Sequence, residues 1–327
     1  MRPVSVSSRL TMTETMKAIC IHHFGGPDTL SYQDLPRPVP TAGEVLIRVH
    51  AAGVNPVDWK TRSGSVPWKG QIDPFPLILG WDVSGIVAAV GRKVSSFATG
   101  DAVYGMIRFP EPAGTYAEYV TAPADHVLPK PAAVDFLEAA ALPLVSLTAW
   151  QALFEAGELA QGQTVLIHGA AGGVGHVAVQ LAKSYGATVI GTARGRDGDF
   201  LRSLGLDFHI DFETIRFEDM VRDLDLVLDT LGGEVQQRSW SVIRRGGRLV
   251  SLRTTSHLEE NAKAHGVKAQ RILVRPEMEH LIRVNELVEA GRLMPSISGV
   301  FPLQQARQAH ERLERGPTRG KLVLSCV

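Results

Sequence analysis

The chain has 327 residues, with 34 basic and 34 acidic side chains and a hydrophobic fraction of 44%. That length accommodates two domains with sizeable cores, and a formal net charge of zero gives no electrostatic reason to expect nucleic acid or an anionic membrane as a partner. Two cysteines, Cys20 and Cys326, are too few for a disulfide framework or a cysteine-rich zinc site and suit a reducing, cytoplasmic setting; no apolar run reaches bilayer length before a charged residue interrupts it.

Residues 1–15 hold Arg2, Arg9 and several serines, with no acid before Glu14, and read as a tail too short for a transit peptide. Strand patterns follow at 16–21 and 44–52, the second alternating Val45, Ile47 and Val49 with polar partners. Gly25-Gly26-Pro27, Pro36-Arg37-Pro38 and Pro74-Phe75-Pro76 punctuate the region, and 83–90 and 101–106 read as further strands. Many short strands between turn signals predict a β-rich, barrel-like first domain.

The pattern changes near Asp135, which with Glu138 has capping-box spacing. Strands at 164–169, 188–192, 224–229 and 248–252 then alternate with helices at 174–185 and 200–204, the signature of βαβ units and a parallel sheet. A helix at 277–290 leads to strands at 296–300 and 321–325.

The most specific motif is Gln163-Thr-Val-Leu-Ile-His-Gly-Ala-Ala-Gly-Gly-Val-Gly175. A buried strand runs into a glycine-rich turn and then a helix, with Ala170, Gly172 and Gly175 at the three positions of a dinucleotide-binding fingerprint. Gly172 lets the backbone approach a pyrophosphate and Gly175 lets helix pack on strand; Gly173 and Val174 open the helix, whose free N–H groups favour phosphate. The second strand ends in Gly191-Thr192-Ala193-Arg194-Gly195-Arg196, without the acid that usually binds an NAD ribose. Arg194 and Arg196 are suited to grip a 2′-phosphate, so NADPH/NADP+ is the expected cofactor.

Together with this motif, Gly53-Val-Asn-Pro-Val-Asp58, Leu79-Gly-Trp-Asp-Val-Ser-Gly85, Gly100-Asp-Ala-Val-Tyr-Gly105, Leu147-Thr-Ala-Trp150 and Arg319-Gly-Lys321 carry a resemblance across nearly all of the chain after Met16. In order and spacing they resemble the medium-chain dehydrogenase/reductase superfamily, in its zinc-free quinone-oxidoreductase branch. The resemblance implies an α/β fold: a GroES-like catalytic domain (16–145), a Rossmann doubly wound parallel-sheet domain (146–276) and a return to the catalytic domain (277–327), with the active site between them. Zinc-dependent relatives carry cysteine where this chain has Asn55 and histidine where it has Trp81; Asp58 and Asp82 alone do not make a zinc site.

The resemblance also implies roles. Asn55 would donate to a substrate carbonyl, and Lys60 would stabilise an enolate or supply a proton. Thr148 would touch the nicotinamide edge, Phe212 would pack near the adenosine phosphate, and Asp229, Thr230 and Leu231 would border the nicotinamide ribose. Val274 and Arg275 would approach the carboxamide through backbone groups. A homodimer is implied, paired through the strand after Arg248 or through 271–274. The function implied is hydride transfer from NADPH to a quinone or an α,β-unsaturated carbonyl. A zinc-dependent alcohol dehydrogenase, which the missing ligands disfavour, and a non-catalytic NADPH-binding module are the alternatives.

Overall fold

Residues 14–66, 75–253 and 256–327 are described in the computed structural model; most of the tail read at 1–15 lies outside them. The first domain comprises β1 (Thr15–Ile21), β2 (Ser31–Pro36), β3 (Glu44–Val54), α1 (Pro56–Arg62), β4 (Leu77–Ile78), β5 (Asp82–Val90), β6 (Ala102–Met106), β7 (Tyr119–Pro123) and β8 (Leu128–Pro129). β1 forms a small antiparallel sheet with β2 and β4, while β3 is the spine of the larger sheet, pairing with β5 and β7. Val45, Ile47 and Val49, which alternate along β3, are all fully buried in one cluster with Val83, Val87 and Val103. Period-two burial of β-branched side chains on one face is what sets this register.

Two helices lead out of the first domain, α2 (Phe136–Ala140) and α3 (Pro143–Trp150). The capping box read in the sequence starts α2: Glu138 N–H donates to Asp135 Oδ1 at 2.8 Å and Asp135 N–H to Glu138 Oε2 at 2.9 Å. The second domain then runs β9 (Thr164–His168), α4 (Gly173–Ser184), β10 (Thr188–Ala193), α5 (Gly198–Ser203), β11 (Phe208–Asp211), β12 (Leu224–Asp229), α6 (Gly233–Ser239), β13 (Ile243–Ser251), α7 (Leu258–His265) and β14 (Lys268–Arg271). Its six strands are all parallel in the order β11-β10-β9-β12-β13-β14. That order reverses direction between β9 and β12, the crevice where open α/β sheets bind ligands. Central β9 is apolar on both faces, Val165 and Ile167 joining one core and Leu166 the other, as a parallel strand covered on both sides requires.

The chain closes with α8 (Met278–Glu289), β15 (Ile297–Pro302), α9 (Ala306–Glu314) and β16 (Lys321–Ser325). β16 pairs antiparallel with β3, and β15 parallel with β16, so the last residues complete the catalytic-domain sheet. One apolar cluster spans both domains, joining Trp81, Tyr104 and Met106 to Leu144, Leu147 and Leu153 and on to Val165, Ile167 and Leu181. Of the two candidate edge segments, the strand containing Arg248 is internal, with β12 on one side and β14 on the other; β14 is the free edge.

Candidate active site

The glycine-rich turn is built by close approach. Gly169 takes φ +67°, and a Cβ at Gly175 would lie 2.2 Å from the Gly169 carbonyl oxygen, so helix and strand touch only because Gly175 has no side chain. Ala170 is buried, its N–H donating to the Thr192 carbonyl at 3.0 Å. Gly172 is the N-cap residue of the 12-residue α4, has no side chain to cap it, and would meet with a Cβ only the Gly169 oxygen at 3.3 Å. Gly173 and Val174 form the first turn, half-buried. The cradle is shaped for a pyrophosphate: an open glycine face before unpartnered helical N–H groups.

At the end of β10 the Thr192 hydroxyl is buried against His168 Nδ1 at 3.1 Å. Arg194 reaches Glu213 at 3.5 Å with its Nε, which makes no hydrogen bond. Arg196 contributes its carbonyl to Arg319, whose guanidinium also holds Asp197 at 2.8 Å. Phe212 is half-exposed beside this corner, its N–H on the Ala193 carbonyl. Three arginines thus gather here, together with Asp197 and Glu213. In the sequence Arg319 stands only as part of the Arg319-Gly-Lys321 motif; its place at this corner comes from a contact across 122 residues.

Around the expected nicotinamide, Thr148 is buried on α3 with its hydroxyl donating to the Leu144 carbonyl at 2.6 Å. Asp229 is fully buried and organises its own loop: Oδ1 accepts from the N–H groups of Leu231 (3.0 Å) and Gly232 (2.7 Å), Oδ2 from Gln236 and Ser251. The Thr230 hydroxyl donates to the His168 carbonyl at 2.7 Å, and Leu231 stands exposed above the turn. Val274 is buried, and the Arg275 peptide is gripped by Gln151, which carries no sequence signal.

Asn55 belongs to a buried polar network under the interdomain cleft. Its amide nitrogen donates to Asp82 at 2.8 Å and its amide oxygen accepts from the Lys321 ammonium, which also donates to the Val54 carbonyl at 2.9 Å and lies 3.6 Å from Asp82. The backbone N–H of Asn55 donates to Asp58 Oδ2 at 2.7 Å, as does the Tyr116 hydroxyl at 2.7 Å. Behind Tyr116 stands His310, at 3.3 Å, and behind it Arg62, at 3.2 Å from Nδ1, which is ion-paired to Glu314. A guanidinium has only donors, so Nδ1 accepts and Nε2 carries the hydrogen toward Tyr116. Burial, then Arg62, pushes the imidazole down to about 3, which keeps it neutral. Burial raises the Asp58 carboxyl to about 7 against the hydrogen bonds from Tyr116 and Asn55. Lys321 is lowered by burial against the pull of Asp82 and Asp58. Lys60, the other candidate, is half-buried on α1; burial, then Arg253 and Arg271, lowers its ammonium. The structure therefore brings Lys60 to the domain boundary and commits the Asn55 side chain to Asp82 and Lys321. Asp82, Tyr116, His310 and Lys321 are functional-site neighbours that sequence reasoning missed as a group.

A doubly wound sheet with an open phosphate cradle, joined to a β-rich domain through a shared apolar core, defines a two-domain oxidoreductase that uses a nicotinamide cofactor. Residues 41–132 match the alcohol dehydrogenase GroES-like domain and residues 204–324 the family described as zinc-binding dehydrogenase. The chain is 35% identical to the quinone oxidoreductase of Sus scrofa over 96% of this chain and 99% of that protein. It is 33% identical to the chloroplastic NADPH-dependent alkenal/one oxidoreductase of Arabidopsis thaliana, over 98% of this chain and 82% of that protein. The solved quinone oxidoreductase from Coxiella burnetii superposes with a TM-score of 0.89 at 40% identity, covering 96% of this chain and 100% of that one. The chain belongs to the quinone-oxidoreductase branch of the medium-chain dehydrogenase/reductase superfamily.

The residues do not fit a catalytic zinc. Asn55 and Trp81 carry neither thiolate nor imidazole, the Trp81 indole N–H is spent on the Glu111 carbonyl at 2.8 Å, and the oxygens of Val54, Asn55 and Asp82 face the Lys321 ammonium. Among the described residues no cluster of three or more His, Cys, Asp or Glu side chains is placed to hold a metal ion.

Proposed function

We propose that this chain is an NADP(H)-dependent reductase that passes hydride to a quinone or an α,β-unsaturated carbonyl. The observation that carries the proposal is the pairing of the open Gly172 cradle with an arginine corner at the end of β10, where an NAD-type carboxylate is absent. The quinone oxidoreductase and alkenal/one oxidoreductase activities named for the porcine and Arabidopsis relatives support the same substrate classes.

Gly172, Gly173 and Val174 would hold the pyrophosphate. Arg194 and Arg196 would hold the 2′-phosphate, whose charge of about −1.5 to −2 competes with Glu213 for Arg194. Thr148 and the Val274–Arg275 backbone would border the nicotinamide, and Asp229, by holding the N–H groups of Leu231 and Gly232, would shape the ribose-facing loop. When bound, the cofactor supplies hydride at nicotinamide C4. Lys60 would then stabilise negative charge on the carbonyl oxygen and give its proton to the reduced product; a lowered ammonium is a better acid near neutral pH. With its amide committed, Asn55 would act through Asp82 and Lys321, fixing the floor of the cleft. We further infer a cytoplasmic homodimer paired through β14, whose edge is otherwise unpaired among the described residues.

Loss of NADPH absorbance with enones, quinones and aldehydes tested separately is the direct test. Turnover of enones or quinones is expected; NADPH binding without turnover of any acceptor would overturn the catalytic reading. Light scattering should give twice the chain mass, and a monomer at micromolar concentration would remove the dimer.

A further inference from the structure

The helix that carries Thr148 does not end with α3. It continues as one π turn, Gln151–Ala156, a widened pitch that shifts the phase of the side chains beyond it. Gln151, at the change of pitch, is 1% exposed. Its Nε2 donates to the Arg275 carbonyl at 2.9 Å, and its Oε1 accepts from the Arg275 N–H at 3.1 Å. One amide thus satisfies both polar groups of one residue's backbone, as a neighbouring strand would. Glu155, four residues on and on the same helix face, accepts from the Arg275 guanidinium at 2.7 and 2.8 Å and lies 3.3 Å from His280 Nε2. Among the described residues, no other hydrogen bond holds the backbone of residues 273–276, which lies between the edge strand β14 and α8.

We propose that Gln151 is a positioning residue for hydride transfer: by clamping the Arg275 peptide it fixes the backbone at the carboxamide of the bound nicotinamide, and so which face of the ring meets the substrate. This rests on the reading of the chain as an NADP(H) reductase. Thr148 and Gln151 share one helix face at i, i+3, so a single rigid element sets both borders of the ring. Removing the clamp leaves the 273–276 backbone free to shift, and the carboxamide loses the fixed partner that distinguishes one ring orientation from the other.

The test uses the full-length protein with Gln151→Leu and Gln151→Glu. Transferred nuclear Overhauser effects on bound NADP+, from nicotinamide H2 and H6 to ribose H1′, report the glycosidic conformer without any turnover. Wild type should show one conformer and Gln151→Leu a mixture. With NADPH deuterated on either face of C4, wild type should transfer one label only and Gln151→Leu both. Single-turnover hydride transfer should slow by about tenfold, or about 1.4 kcal/mol, while NADPH affinity changes by less than about threefold.

Gln151→Glu supplies the internal control. Its carboxylate accepts from the Arg275 N–H but repels the Arg275 carbonyl; once protonated, it donates. The single conformer should therefore return as pH falls through the carboxyl range, within one folded protein. If Gln151→Leu does not fold, this pH series decides alone. A single conformer and a single transferred label in Gln151→Leu, or a pH-independent Gln151→Glu, would overturn the proposal. A wild-type chain that bound NADP(H) but reduced nothing would refute the catalytic reading and leave the conformer measurement intact.

Discussion

Replacing Asp58 by Asn should make the protein less stable at low pH and more stable in mild base. Asp58 is fully buried, Oδ2 accepts from the Tyr116 hydroxyl and the Asn55 N–H at 2.7 Å each, and Oδ1 has no hydrogen-bond partner. Its carboxyl is raised from 3.8 to about 7, first by burial. In the unfolded chain the group ionises near 3.8; in the folded protein it keeps its proton until about pH 7. Between those values the folded state binds more protons, so stability is greatest in acid, falls as pH rises through the window, and levels off above about 7. A difference of roughly 3 pH units at about 1.4 kcal/mol each is on the order of 4 kcal/mol of lost stability in base. Asn keeps an acceptor oxygen for Tyr116 and Asn55 and carries no charge, but its amide nitrogen then sits where Oδ1 lacks a partner, at a cost of about 1–3 kcal/mol. Asp58→Asn should therefore lose about 1–3 kcal/mol near pH 3, where Asp58 holds its proton folded or unfolded, cross wild type between roughly pH 4.5 and 6, and gain about 1–3 kcal/mol above pH 8. The Lys321–Asp82 pair, neutral His310 and Tyr116 are present in both proteins, so their difference isolates Asp58. Urea midpoints at three pH values, with m unchanged, measure it. A stability difference that does not vary with pH would show that Lys321 keeps Asp58 ionised, and the argument from burial would fail.

Replacing both Arg194 and Arg196 by Ala should weaken NADPH binding by roughly 1.5–3 kcal/mol per lost charge-assisted contact and leave NADH nearly unchanged; equal losses by titration would show that they do not read the phosphate. Lys60→Met should slow single-turnover reduction with NADPH binding intact, and wild-type rates would leave Lys60 a boundary cation without a catalytic role. Gly175→Ala and Gly172→Ala should separate fold from binding. The first drives a Cβ to 2.2 Å from the Gly169 oxygen and should lower the melting temperature, whereas the second meets that oxygen only at 3.3 Å and should fold but bind NADPH poorly. Equal melting temperatures for the two would contradict the packing role of Gly175.

What the sequence determined by itself is what neighbouring residues encode. The glycine-rich turn is legible because strand, turn and helix N-terminus lie within thirteen consecutive residues, and the capping box at Asp135 because its partner is three positions away. β3 was legible because one buried face forces alternation. The β13 strand begins at Ile243 rather than 248, since pairing of Ile243 with Leu224 draws Arg244, Arg245 and the following glycines into the strand despite their polarity. Which strand forms the sheet edge was also left open, because strand order follows from helices crossing over the sheet and not from either strand's composition.

The seam beneath the cleft is where tertiary structure decided. Lys321 meets Asn55 across 266 residues, Arg62 meets His310 across 248, and Gln151 meets Arg275 across 124. No spacing along the chain marks such pairs, since each member taken alone reads as an ordinary loop or helix residue. The first two pairs are fixed only when β16 returns to pair with β3 and α9 packs beside α1, and the third only when the segment after β14 meets the end of α3. Burial then makes each unpaired polar atom costly enough to select one arrangement. For the same reason, Asn55 was read from the sequence as a donor facing substrate: its neighbours in the chain are visible there, whereas the Lys321 and Asp82 groups that occupy its amide come together only in the folded protein.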